Sequence, residues 1–84
     1  MSIKNKRQVN EKKFTGWEDL PNGGRRYFLD VKGRHGWDAK YIKEVNAEEE
    51  TIKFYQEIFD DKGILIEIHE KFPVDKGHRK IKEG

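Results

Sequence analysis

Clusters of turn-forming residues divide this chain into segments too closely spaced for parallel pairing. Asn22-Gly23 stands between two aromatic-bearing segments, and both residues tolerate the positive φ of tight hairpins. "GRHGWD", Gly33–Asp38, offers two glycines for a second reversal, and "DDKG", Asp60–Gly63, ends a third in glycine. A parallel crossover needs a dozen or more residues, which none of these connections supplies. The segments themselves alternate. In Arg25–Val31, Tyr27, Leu29 and Val31 fall on one face and Arg26, Phe28 and Asp30 on the other. Ala39–Asn46 alternates more weakly, Thr51–Phe59 puts Ile52, Phe54 and Ile58 together, and Ile64, Ile66 and Ile68 mark a further strand. The expected fold is a small all-β antiparallel meander of four to five strands.

One segment also scans as a helix. In "NAEEETIKFYQEIFDDKG", Asn46 is a candidate cap, Glu49 completes a capping box and Gly63 is a candidate stop, so a helix over residues 47–61 would make the fold α+β. The β-branched and aromatic residues of Thr51–Phe59 favour strand. A meander with one buried face needs a cover. Closure into a half-barrel, a stacked second copy, or a helix drawn from Ala47–Phe59 would each provide it.

Domain organisation follows from charge. The chain has 84 residues and a net charge of +2, but Met1–Lys13 carries +4 and Asp75–Gly84 carries +2, leaving −4 between them. With no apolar stripe in "MSIKNKRQVNEKK", residues 1–13 read as a disordered basic arm, residues 14–74 as a single small β domain, and residues 75–84 as a basic tail. Hydrophobic residues make up 33% against 40% charged, so the core is thin for a domain that buries only about 60% of its unfolded-chain surface. Cysteine is absent, which removes disulfides and Cys-based zinc sites, and no apolar run approaches the roughly 20 residues of a membrane span. A soluble, cytoplasmic protein without a membrane association is the expectation.

Two constellations could carry chemistry. The alternation sets Phe28, Tyr41, Tyr55 and Phe59 on a second face with Arg26, Lys43 and Lys53 among them, a pattern that suits either a stacking platform for single-stranded nucleic acid or a second small core under long basic stems. The acidic body weighs against the nucleic-acid version, since phosphate attraction supplies most non-specific affinity. Arg34 and His35, with Trp37 behind them, are presented by the "GRHGWD" turn, and His69 sits near the end of the isoleucine strand. An imidazole pair beside arginine could cleave RNA without metal if His35 and His69 were neighbours. Trp37 is expected to fold back over the edge of the core. No histidine pair has metal-ligand spacing, no cofactor motif is present, "PNGG" is explained by turn chemistry, and Ser2 is the lone serine, so neither a metal site nor a serine or cysteine nucleophile is expected.

"GRHGWDAKY" and "FYQEIFDDKGILIEIHEKFPVDKGH" resemble short uncharacterised bacterial proteins and C-terminal modules of polymorphic or contact-dependent toxins, over about Arg25 to His78. The resemblance implies association with toxin systems, in which some such modules are RNases; it transfers no role to His35 or His69. The leading functional expectation is a non-catalytic binding module whose partner is another protein or a second copy of the chain. RNA binding, or cleavage by a metal-independent ribonuclease-like toxin domain, is the alternative. Candidate binding residues are Arg34, His35, Trp37, His69, Phe28, Tyr41 and Tyr55.

Overall fold

The computed structural model describes residues 2–73 and 77–80. One antiparallel sheet runs through the chain in sequence order: β1 (Gly16–Asp19), β2 (Arg25–Lys32), β3 (Asp38–Val45), β4 (Thr51–Phe59), β5 (Leu65–Phe72) and β6 (Gly77–Lys80). The expected meander is present, with six strands, because four residues assigned to the C-terminal tail add β6 against β5. The sheet is open, with β1 and β6 at its edges, so it does not close as a barrel. No helix among the described residues is long and apolar enough to cross a membrane.

Residues 51–59 are strand, and the helical signal there has another use. Asn46 does cap, but it caps a turn: its side-chain oxygen accepts from the Glu48 and Glu50 amides at 3.1 and 2.9 Å. The isoleucines do not form a single stripe either. Ile64 lies in the preceding turn, 47% exposed, and the β4–β5 register shifts between Ile58 and Phe59.

The cover comes from the opposite end of the chain. Residues read as a disordered arm form helix α1 (Ile3–Lys13), capped by the Ser2 hydroxyl, which accepts from the Asn5 amide at 3.1 Å. Its two branched apolar residues, Ile3 and Val9, point to water, about half exposed. The docking stripe is Arg7, Asn10, Glu11 and Phe14, which has helical spacing but is polar in three of its four members. Hydrophobic periodicity therefore has nothing to detect.

Glu49 is what that stripe meets. Its side chain is fully buried, and it accepts from Arg7 Nε at 2.9 Å, Asn10 Nδ2 at 3.0 Å and the Tyr27 hydroxyl. Lys43 Nζ donates to Asn10 Oδ1 at 3.0 Å. Farther along α1, Glu11 accepts from Arg25, whose guanidinium also donates to Asp19 and lies 5.4 Å over the Trp17 ring. Beneath these bonds is a small core of Phe14, Tyr27 and Val45, with Leu29 and Phe54 at its margin. The Phe14 and Tyr27 rings lie 5.5 Å apart, tilted by 33°.

Glu49 reaches this position from an unusual backbone. In all four loops joining β1 to β5, the fourth residue counted from the loop's start is left-handed: Gly23 (φ 86°), Gly36 (φ 76°), Glu49 (φ 64°) and Gly63 (φ 79°). In three of them the first residue's amide donates to the carbonyl four residues on, and its carbonyl accepts from the left-handed residue, a three-residue hairpin loop with an αL bulge position. Glutamate thus stands where the other three loops have glycine. Left-handed backbone costs an L-residue roughly 1 kcal/mol, and three hydrogen bonds to a buried carboxylate outweigh it at about 1.5 kcal/mol or more each.

Burial alone would raise the Glu49 carboxyl, but Tyr27, Asn10 and Arg7 stabilise the charged form and hold it below its ordinary value. Burial and the bond to Glu49 push the Tyr27 phenol up to about 12. The lowered carboxyl contributes stability in full above the ordinary glutamate value of about 4.3, and that contribution is lost as pH falls through the folded-state value. Glu49→Gln is expected to lose about 2 kcal/mol in urea unfolding at neutral pH, with the gap to wild type closing below about pH 4; a gap independent of pH would contradict the ionised assignment. Separately, Glu49→Gly should be more stable than Glu49→Ala by about 1 kcal/mol because only the backbone term distinguishes them, while both remain below wild type.

Candidate functional site

Strand register sorts the aromatic residues onto two faces of different chemistry. On the face away from α1, the pairings Phe28–Ile42–Tyr55 form an apolar row. Ile42 is only 3% exposed without any helix above it. Its shelter comes from its neighbours, over which Lys40 and Lys53 lay their stems: the Lys40 ammonium lies 5.7 Å from the Phe28 ring centre and that of Lys53 4.9 Å from Tyr55. Charged rows flank it. Glu18, Arg26, Glu44 and Lys53 alternate in sign across four strands, as do Asp30, Lys40 and Glu57 across three. Arg26 donates to both Glu18 and Glu44. Burial, together with the negative Glu44 and Glu57, raises the Tyr55 phenol. Cations on this face are thus matched by carboxylates at contact distance or directly across the ladder, and an incoming phosphate would meet both.

Tyr41 and Lys43, expected beside Phe28, lie on the other face. Tyr41 pairs with Leu29 and Lys43 with Tyr27, because the side chains of β3 alternate in the opposite sense to the expected grouping. Here the helix covers only part of the sheet. Beside its C-terminal end two adjoining depressions of about 270 and 220 Å³ share Lys13, Phe14 and Phe54; Lys43, Thr51 and Phe72 complete one, Leu29 and Tyr41 the other. Tyr41 and Phe54 stack with centres 6.2 Å apart and planes within 24°. The Lys71 ammonium lies over both rings, at 5.1 and 5.8 Å. Gln56 Nε2 donates to the Tyr41 hydroxyl at 3.1 Å.

The cleft is cationic. Lys13, Lys43 and Lys71 make no ion pair with a carboxylate among the described residues. Burial and the nearby charge of Lys13 lower the Lys43 ammonium below its usual value. Like charges held together over an aromatic floor form a surface complementary to an anion with an apolar or aromatic part. Of these groups Tyr41 was a candidate binding residue from the sequence, and Lys43 was placed with it in the aromatic and basic constellation. Phe54 was visible there as a strand residue, but Lys13 joined the site only through helix docking, and Lys71, which follows His69 on this face by alternation, only through the pairing of β5 with β4; the register shift between Phe54 and Tyr55 sets Phe72 opposite Phe54.

The "GRHGWD" loop is a compact turn. The Gly33 amide donates to the Trp37 carbonyl at 2.6 Å, and Arg34–Gly36 make one 3₁₀ turn in which His35 is itself left-handed (φ 60°). Arg34 and His35 are exposed, and Trp37 is 40% exposed, so it does not seal the core. His69 lies within β5, opposite Gln56 and in the same cross-strand row as Tyr41. That row is three residues inside the sheet from Asp38–Phe59, roughly 10 Å along the strands, whereas His35 lies beyond that end. The structure therefore does not bring His35 and His69 together on one phosphodiester. His78 pairs with His69 across β5–β6 in the backbone register. No group of three or more His, Asp or Glu suited to a metal ion occurs among the described residues.

The loop lies close against the β4–β5 loop. A Cβ on Gly36, at φ 76°, would stand 3.2 Å from the Asp61 Cβ of the β4–β5 loop. Gly36→Ala is expected to cost more than about 1 kcal/mol, read as a lower unfolding midpoint, with backbone NMR shifts extending to Asp61; an unaffected Asp61 would contradict the contact. No family model, curated protein or solved structure matches the chain.

Proposed function

We propose that the protein is a non-catalytic binding module that engages an anionic partner through the cleft beside α1. The observation that carries this reading is the set of three lysine ammoniums, Lys13, Lys43 and Lys71, without described carboxylate partners over the Phe14, Tyr41 and Phe54 rings. Burial first, and the nearby charge of Lys13 second, destabilise the Lys43 ammonium, and the Glu49 carboxylate acts in the opposite direction. An anion in the cleft relieves that destabilisation. The opposite face has as many aromatic residues in view but satisfies its cations internally.

Catalysis has weaker support. General acid–base cleavage needs two groups within hydrogen-bond reach of the same reacting centre, and the two histidines considered for it occupy an exposed turn and a mid-strand position. A binding role needs only the standing charge and shape of the cleft.

Backbone NMR titration with inorganic polyphosphate tests the reading. Expected are shifts at Lys43, Phe54 and Lys71 that exceed those at Lys40 and Lys53 on the far face. Equal shifts on both faces, or none at moderate salt, would refute a built site and leave only diffuse attraction.

A further inference from the structure

We infer that the occupant of the cleft is single-stranded nucleic acid, with bases stacking on the Tyr41–Phe54 pair and phosphates taken by Lys13, Lys43 and Lys71; this rests on the cleft being the anion-binding site proposed above. Charge alone would suit any polyanion, including an acidic peptide. The rings narrow the choice. Tyr41 and Phe54 present nearly parallel planes side by side on the sheet, and what lies over them is a single lysine ammonium. A cation over a π face is a modest interaction, on the order of 0.5–1 kcal/mol at a solvent-reached site, whereas a stacked base contributes about 1–3 kcal/mol. A base can therefore displace Lys71 from the rings, and the freed ammonium, on its flexible stem, is then placed for the adjoining phosphate. An acidic side chain has no flat face to make that exchange. Duplex nucleic acid has its base faces hidden in its own stack, so only a single strand can use both parts of the site.

The flanking chemistry agrees. Lys43 is fixed in direction by its bond to Asn10, Lys13 stands at the helix end above Phe14, and Lys71 approaches from β5, so the ammoniums surround the Tyr41–Phe54 floor from three elements. On the far face, the same ring types are bracketed by Glu18, Glu44 and Glu57, which would repel a phosphate backbone. The two faces thus provide an internal control.

Fluorescence anisotropy with a labelled single-stranded RNA, its duplex form and an oligoglutamate peptide of similar charge tests the assignment. Binding to the single strand should weaken with salt at a slope of roughly 2, as three phosphate contacts predict. Phe54→Leu and Tyr41→Leu should each reduce affinity about fivefold or more at an unchanged salt slope; Lys71→Ala should lower the slope by about 0.7; Phe28→Leu on the far face should bind as wild type. Phe54 borders the core, so Tyr41→Leu decides the outcome if Phe54→Leu fails to give a native NMR spectrum. Equal binding of duplex and single strand, or full affinity in Tyr41→Leu, would overturn stacking. Oligoglutamate bound at the cleft without RNA binding would overturn this occupant while leaving the anion-binding reading intact. No binding of any polyanion would overturn both.

Discussion

A buried carboxylate on left-handed backbone holds this molecule together. Strand contacts in a meander are between neighbours in sequence and need little chain closure, but the bonds from Arg7 and Asn10 to Glu49 span 42 and 39 residues. They tie the first element of the chain to the tip of the β3–β4 hairpin, across the sheet face that would otherwise be open. The Tyr27 hydroxyl joins the same carboxylate from β2, so a strand, a loop and a helix meet at one group. Such a network is stable only when every member is satisfied, and among the described residues no buried side-chain nitrogen or oxygen lacks a partner.

This arrangement solves the difficulty set by composition. A chain with 40% charged residues cannot cover both faces of a sheet with apolar groups. One face is covered by a helix whose contact surface is mostly polar, bonded to a polar centre. The other is sheltered by its own lysine stems, with alternating charges at its borders. Charge is neutralised in rows on the second face and left concentrated in the cleft of the first, so a chain with a net charge of only +2 presents a concentrated cationic surface.

The strands were legible because two independent signals agreed: residue alternation within segments and turn chemistry between them. Asn22-Gly23 and Asp60–Gly63 set their hairpins as expected, and the β-branched run outweighed the capping-box pattern at Asn46. The helix was not legible, because Arg7, Asn10 and Glu11 carry its inward face and a polar stripe resembles solvated surface until its partner is known. Glu49 shows the same limit. A glutamate after "NAE" reads as helix-favouring, and only the fold reveals that it occupies a glycine's position. The faces of Tyr41 and Lys43 depended on which residue of β2 each opposes, a matter of register that alternation within one strand leaves open.

The cleft has walls from both parties to the helix–sheet contact, since Lys13 ends α1 and Phe14 caps it, while Tyr41, Phe54 and Lys71 belong to the sheet. It exists only in molecules whose helix is docked. Any occupant therefore draws the equilibrium toward the docked form by mass action, by RT ln(1 + [L]/Kd), and the apparent affinity carries the fraction docked as a factor. The Glu49 carboxylate, which lines neither of these two depressions, is in this sense thermodynamically part of the cleft: protonating it would weaken the proposed binding by depopulating the docked state.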